Sequence, residues 1–211
     1  MKKAVIFDMD GIIIQSEILY QKRRTIFFKE HGIIVDEAFQ KEVIGSNPVD
    51  MFAMIFPESP EKQAYYLGEF DTFKESFLVD YPSILTEDIE KVLKWLKENK
   101  YRIALASSGE YPMLIHILQE IGLYSFFEVI VSGADMPKSK PAPDVYLEAM
   151  RQLELLPQEC VAIEDSAHGI KAAVSAGLDC LSLKPKDYEV DQKLATKVIL
   201  SLNDISNWLT S

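Results

Sequence analysis

An unbroken apolar run, Ala4-Val5-Ile6-Phe7, ends directly on Asp8-Met9-Asp10-Gly11. A continuous run of this kind reads as a strand buried on both faces, as in a parallel sheet. In open α/β sheets the ligand crevice lies beyond the carboxyl ends of the strands. Two acids two residues apart on an extended segment project to the same side. Placed together, they repel unless a cation or a shared proton relieves them. Asp8 and Asp10 are therefore candidates for a metal-dependent site in which one carboxylate can also attack, with Gly11 supplying the turn. For the tetrapeptide alone, the structural alternative is an acidic turn closing a strand.

Downstream, the chain divides into two patterns. Helical periodicity is expected over 17–31, 36–43, 49–56 and 61–77, with Gly32 and Gly45 as stops and Pro57 and Pro60 marking a break. No strand signal appears between about residues 15 and 81. From Pro82 onward strands and helices alternate. Strands are expected at 102–106, 129–131, 161–163, 180–183 and 198–200, and helices at 88–99, 112–121, 144–153, 167–176 and 204–209. This alternation reads as a doubly wound parallel sheet, a Rossmann-like α/β core. The helical stretch reads as an inserted cap, giving a core of residues 1–14 and 82–211 and a cap of 15–81.

Composition excludes several function classes. The 211 residues are 48% hydrophobic, enough for a real core, and the net charge is −11. A nucleic-acid partner needs a basic face, and an anionic membrane surface would repel this chain. No apolar stretch approaches the roughly 18 residues of a spanning helix. The basic start meets Asp8 and Asp10 after only four apolar residues, too short for a signal peptide. Cys160 and Cys180 fall on or beside expected buried strands and read as core thiols rather than a disulfide. A cytoplasmic protein, monomeric or weakly dimeric, fits these features.

Three further clusters follow expected strands. Ser107-Ser108-Gly109 offers hydroxyls and backbone N–H groups before a helix, an anion-binding arrangement that is also an ordinary helix cap. Lys138-Ser139-Lys140-Pro141-Ala142-Pro143-Asp144 is stiffened by two prolines, with Pro143 suited to the first position of the next helix. Lys140, pinned by Pro141, can be aimed at a phosphate as a point charge, whereas Lys138 reads as a surface charge. Glu164-Asp165-Ser166 places adjacent acids at a strand end, good oxygen ligands for Mg²⁺, with Gly169 opening the next helix. His31, His116 and His168 are too widely spread to form a zinc site. The aromatics Tyr65, Tyr66, Phe70, Phe73 and Phe77 recur at helical spacing and read as cap core.

The four clusters occur in one order, each at the end of a strand of the same sheet. On these residues the chain resembles the haloacid dehalogenase-like hydrolase superfamily. Asp8-Met9-Asp10-Gly11 matches its Asp-x-Asp-Gly motif, Ser107 its Ser/Thr, Lys140 its Lys-Pro-x-Pro-Asp lysine, and Glu164 to Gly169 its acidic motif. The resemblance covers nearly the whole chain and is greatest to the branch of β-phosphoglucomutase and small phosphosugar phosphatases. It implies an Mg²⁺-dependent phosphatase acting on a small phosphorylated metabolite. Asp8 would form an aspartyl-phosphate, with Asp10 as general acid and then base. Mg²⁺ would be held by Asp8, the Asp10 backbone carbonyl and Asp165, with Glu164 as ligand or support. Ser107, the backbone of Ser108 and Gly109, and Lys140 would bind the phosphoryl oxygens. The cap would close over the site and contact the rest of the substrate.

The chain departs from that branch in three places. Gln15-Ser16-Glu17 replaces Asp-Ser-Glu, Tyr20 stands where a mutase would carry a cap-helix histidine, and Gly45 to Asp50 offers no arginine for a second phosphate. Lys22, Arg23 or Arg24 are the basic residues that could substitute. A phosphosugar mutase is thus the alternative to the phosphatase. A non-catalytic regulator that binds a phosphometabolite is a third reading, against which the intact set Asp8, Asp10, Lys140 and Asp165 argues.

Overall fold

A computed structural model describes residues 1–43, 48–186 and 188–211. Of Gly45 to Asp50, residues 45–47 lie outside the described residues and 48–50 open a helix. The chain separates into two compact units, one of Met1–Gln15 with Tyr81–Ser211 and one of Ser16–Asp80.

The larger unit is built on a six-stranded parallel sheet: β1 (Ala4–Phe7), β2 (Arg102–Ser107), β3 (Val129–Ser132), β4 (Cys160–Glu164), β5 (Asp179–Leu183) and β6 (Lys197–Ile199). The strand order is β3-β2-β1-β4-β5-β6. The order reverses between β1 and β4, where a doubly wound sheet opens its ligand crevice. Phe7 is in register with Leu105 on one side and Ile163 on the other. Asp8 continues that pairing by donating its N–H to the Ile163 carbonyl at 3.0 Å. The carboxylates after β1 and β4 therefore emerge side by side.

Strand alternation sorts the sheet into two faces. Val5, Phe7, Ile103, Leu105, Val161 and Ile163 point into one core cluster. That cluster is completed by α5 (Ile89–Glu98), α6 (Tyr111–Glu120) and α9 (Asp204–Thr210). In α5, Ile89, Val92, Leu93 and Leu96 are buried at the spacing of one helical stripe. The opposite face carries smaller side chains, Ala4, Ala104, Ala106, Cys160, Ala162 and Cys180, with Ile6. Against it pack α7 (Asp144–Leu153) and α8 (Ala167–Ser175). Pro143 precedes α7 as its cap, with φ −78° and ψ −3°, rather than filling the first helical position. Its carbonyl accepts the first helical N–H groups, from Tyr146 and Leu147, which is a cap's role.

The second unit holds α1 (Ser16–Glu30), α2 (Glu37–Glu42), α3 (Pro48–Ile55) and α4 (Pro60–Ser76). Its core is aromatic, formed around Phe27, Phe28, Phe52 and Phe70, with the Phe27 and Phe70 rings 5.0 Å apart. Such edge-to-face pairs add about 1 kcal/mol each beyond burial. Tyr66 and Phe73 pack against this core, while Tyr65 is exposed.

Candidate active site

The strand β1 ends at Phe7 and the backbone then folds tightly. The Met9 carbonyl accepts the N–H groups of Ile13 at 2.8 Å and Ile14 at 3.1 Å, and Gly11 donates to Ile14 at 2.7 Å. Strand alternation therefore does not carry through to Asp10; the turn places it instead. Asp8 is buried and Asp10 half-buried. Gly11 is required twice over. Its φ is +74°, which disfavours any side chain, and a Cβ there would fall 1.9 Å from Asp165 Oδ2.

Lys140 draws the core elements together. Its three N–H donors are shared among four acceptors, Asp8 Oδ1 at 2.8 Å, Glu164 Oε1 at 2.6 Å, the Ala106 carbonyl at 3.0 Å and Tyr146 Oη at 3.3 Å. The lysine side chain is 7% exposed. One buried ammonium thus ties β1, β2, β4 and α7 to a single point. Lys138, by contrast, is exposed.

Glu164 is fully buried and its two oxygens are heavily used. Oε1 accepts from Lys140 and from Tyr146 Oη at 2.8 Å. Oε2 accepts from the N–H of Asp165 at 3.1 Å and from the Ser166 hydroxyl at 3.2 Å. Ser166 also caps α8 by accepting the Gly169 N–H at 3.0 Å. Gly169 lies so close to the Glu164 carboxylate that a Cβ would sit 1.8 Å from Oε1.

Carboxylate oxygens of Asp8, Glu164 and Asp165 lie within 4.8 Å of one another, all three residues buried. Lys140 supplies a single positive charge beside these acids and Asp10. Burial first, then the negative charges of Glu164 and Asp10, push the Asp8 carboxyl up to about 7, while Lys140 pulls it down. Asp165 is driven well above the usual carboxylate range by burial, then by Glu164 and Asp8. Burial alone would lower the Lys140 ammonium, but Asp8 and Glu164 outweigh it and hold it charged. An all-oxygen cluster with surplus negative charge suits a hard divalent cation better than a thiolate- or imidazole-seeking metal.

Ser107 ends β2 and is fully buried. Its Oγ accepts the Gly109 N–H at 3.2 Å, so that backbone donor is engaged internally. A hydroxyl that accepts one bond keeps its own proton to donate. The Gly109 carbonyl is held by the Ser132 hydroxyl at 2.8 Å, and Ser108 is exposed.

Two tyrosines of this site escape the sequence reading. Tyr146 bridges Glu164 and Lys140, and Tyr188 donates its hydroxyl to Asp165 Oδ2 at 3.1 Å. Only Tyr146 carried a signal, a buried-face tyrosine six residues after the lysine. The histidines stay apart: His31 stacks on Phe27 with ring centroids 4.0 Å apart, and His116 and His168 are exposed. Cys160 and Cys180 are buried free thiols, and burial pushes Cys160 up to about 11. Among the basic residues of α1, Arg24 is buried and bound to Glu17 at 2.7 Å, and Arg23 lies over the Tyr20 ring at 5.0 Å.

The family profile described as haloacid dehalogenase-like hydrolase matches residues 5–183. A provisionally named phosphatase, YhcW, of Bacillus subtilis (strain 168) is 33% identical over 187 residues, covering 88% of this chain and 85% of that protein. The phosphorylated carbohydrates phosphatase of Thermotoga maritima is 29% identical over 184 residues, covering 84% and 82%. The solved β-phosphoglucomutase of Clostridium difficile has a TM-score of 0.79 at 23% identity, covering 100% of this chain and 96% of that one, a likeness of fold.

Proposed function

The chain belongs to the haloacid dehalogenase-like hydrolases, and we propose that it is an Mg²⁺-dependent phosphatase releasing phosphate from a small phosphorylated metabolite of the phosphosugar type. The observation that carries this reading is the buried triad of Asp8, Glu164 and Asp165, with Lys140 paired to the first two. A non-catalytic binder of anions would gain nothing from burying three acids next to Lys140.

Asp8 attacks the phosphorus, forming a bond from its carboxylate oxygen while the ester P–O bond breaks. Asp10, half-buried at the turn, gives its proton to the leaving oxygen. It then takes a proton from the water that attacks the aspartyl-phosphate. Splitting the displacement in two replaces one difficult step by two easier ones, and acid–base assistance adds about 10² to 10⁴ in rate. Lys140 orients Asp8 through Oδ1 and, with the Ser107 hydroxyl and the Ser108 backbone, supplies fixed positive potential for the phosphoryl oxygens, while the Gly109 N–H holds Ser107 Oγ in place. Asp8, the Asp10 backbone carbonyl and Asp165 would hold Mg²⁺, which when bound would neutralise charge on the transferring group. Glu164 has two roles open to it, ligand or support. The donors already on both its oxygens favour support, fixing Lys140. Two buried thiols fit a cytoplasmic location.

Water is the acceptor in this reading. A mutase needs a cationic holder for a second phosphate; of the three basic residues beside Tyr20, Arg24 is bound to Glu17 and Arg23 lies over aromatic rings, which leaves the exposed Lys22 as the candidate holder. The test is phosphate release from sugar phosphates, nucleotides and phosphoglycolate with Mg²⁺. A parallel assay with β-glucose 1-phosphate, a bisphosphate activator and glucose 6-phosphate dehydrogenase covers the alternative. Free phosphate is expected to outpace glucose 6-phosphate. The reverse order would replace the phosphatase by a mutase.

A further inference from the structure

We propose that Tyr188 is a positioning residue that sets the affinity of the site for its divalent cation by orienting Asp165. This inference rests on the metal-dependent reading above. Tyr188 comes from residues 184–196, the irregular connection from β5 to β6, far in sequence from the four acidic and basic clusters. Its hydroxyl nevertheless reaches Asp165 Oδ2 at 3.1 Å.

The connection is anchored on either side of Tyr188. Lys184 donates its N–H to the Ile199 carbonyl at 2.9 Å, and Thr196 donates to Cys180 at 2.8 Å. Gln192 Nε2 donates to the buried Ser182 Oγ at 2.6 Å and to the Leu183 carbonyl at 3.0 Å. Tyr188 is therefore delivered to Asp165 by a segment pinned before and after it. On the Asp165 side the space is equally defined, because Gly11 leaves only enough room for Oδ2. The carboxylate is held between a backbone that cannot carry a side chain and a phenol that donates to it.

The chemistry of the donor matters. A lysine at this position would neutralise Asp165 and repel a divalent cation. A neutral phenol orients the carboxylate, uses one lone pair and leaves the charge for the metal. Partners that orient a ligand in this way are worth about 10- to 100-fold in metal affinity. Asp165, crowded by Glu164 and Asp8, has more to lose than an exposed carboxylate.

Tyr188→Phe removes the hydroxyl and keeps the ring. Two readouts apply to wild type and variant: the Mg²⁺ dependence of the melting temperature, which needs no turnover, and the Mg²⁺ concentration for half-maximal hydrolysis of p-nitrophenyl phosphate. The expected result is a rise of about tenfold or more in half-saturating Mg²⁺ by both readouts, with turnover recovered as Mg²⁺ is raised. Gln192→Ala keeps the phenol but removes its anchor. It is expected to raise half-saturating Mg²⁺ by a smaller factor, and it serves as the test should Tyr188→Phe not fold. Unchanged Mg²⁺ half-saturation, with or without a lower metal-free melting temperature, overturns the inference and leaves the phosphatase reading standing. A wild-type protein that neither binds Mg²⁺ nor needs it overturns both.

Discussion

Gly169→Ala is a substitution whose sign local rules get wrong. Gly169 lies in the first turn of α8, and alanine there should stabilise a helix by about 1 kcal/mol. The three-dimensional setting reverses this. The added Cβ would lie 1.8 Å from Glu164 Oε1 and 2.1 Å from Oε2, so the carboxylate or the helix must move. Glu164 is fully buried and holds Lys140 at 2.6 Å and Tyr146 at 2.8 Å. Overpacking costs about 1–3 kcal/mol, and disrupting a buried ion pair about 3–5 kcal/mol. Partial relief by shifting α8 and the opposing helix gain leave a net loss of about 2–4 kcal/mol. For a chain of this size that lowers the melting temperature by roughly 5–15 °C. A displaced Lys140 should also cost about 10²-fold in turnover. Thermal unfolding followed by circular dichroism, beside phosphate release from p-nitrophenyl phosphate, reads both effects. A variant as stable and as active as wild type would refute the claim that Glu164 is a fixed brace for Lys140.

The metal-free protein should lose stability as pH rises from about 4 to 7. Asp8 is raised in the fold from 3.8 to about 7, so the native state binds the extra proton in that window and its deprotonation opposes folding. Mg²⁺ at 100 times its Kd adds about 2.7 kcal/mol, or roughly 5–10 °C. At one fixed Mg²⁺ concentration the gain should be larger at pH 7.5 than at pH 5, a comparison that differential scanning fluorimetry makes directly; a gain independent of pH would count against Asp8 as a ligand. Tyr146→Phe removes one donor from Glu164 and one acceptor from Lys140, and should cost about 1–2 kcal/mol. It should also raise KM for a phosphate ester, whereas a pure packing role would leave KM unchanged.

The clusters at the strand ends were legible because strands buried on both faces exclude charge. In β1 and β4 the first acid after the apolar run marks where the sheet stops, so Asp8, Glu164 and Asp165 stand out in the chain itself. That they meet follows from β1 and β4 being neighbours at the point where strand order reverses. Strand alternation relates Asp10 to Asp8 in the sequence, but a turn around the Met9 carbonyl sets its place, and pattern periodicity does not extend through a turn. Tyr146 lies on the buried stripe of α7, where an aromatic residue reads as core; its hydroxyl acquires meaning only against Glu164, 18 residues on. Tyr188 has no pattern to betray it, because the described residues of 184–196 form neither helix nor strand and its partner Asp165 lies 23 residues away. Gly169 read as an ordinary helix-start glycine, and its closeness to Glu164 exists only in the fold.

The central claim, phosphoryl transfer through Asp8, is tested most directly by trapping the covalent intermediate. Wild type and Asp8→Asn would each be mixed with p-nitrophenyl phosphate and Mg²⁺, quenched in acid within one turnover, digested and analysed by mass spectrometry. Asn is nearly isosteric with Asp but cannot attack. A phosphorylated peptide containing Asp8 is expected in the wild type. Neither that species nor phosphate release is expected in a folded Asp8→Asn variant. Phosphate release at the wild-type rate by Asp8→Asn, or a phosphoryl group trapped on another residue, would contradict that claim.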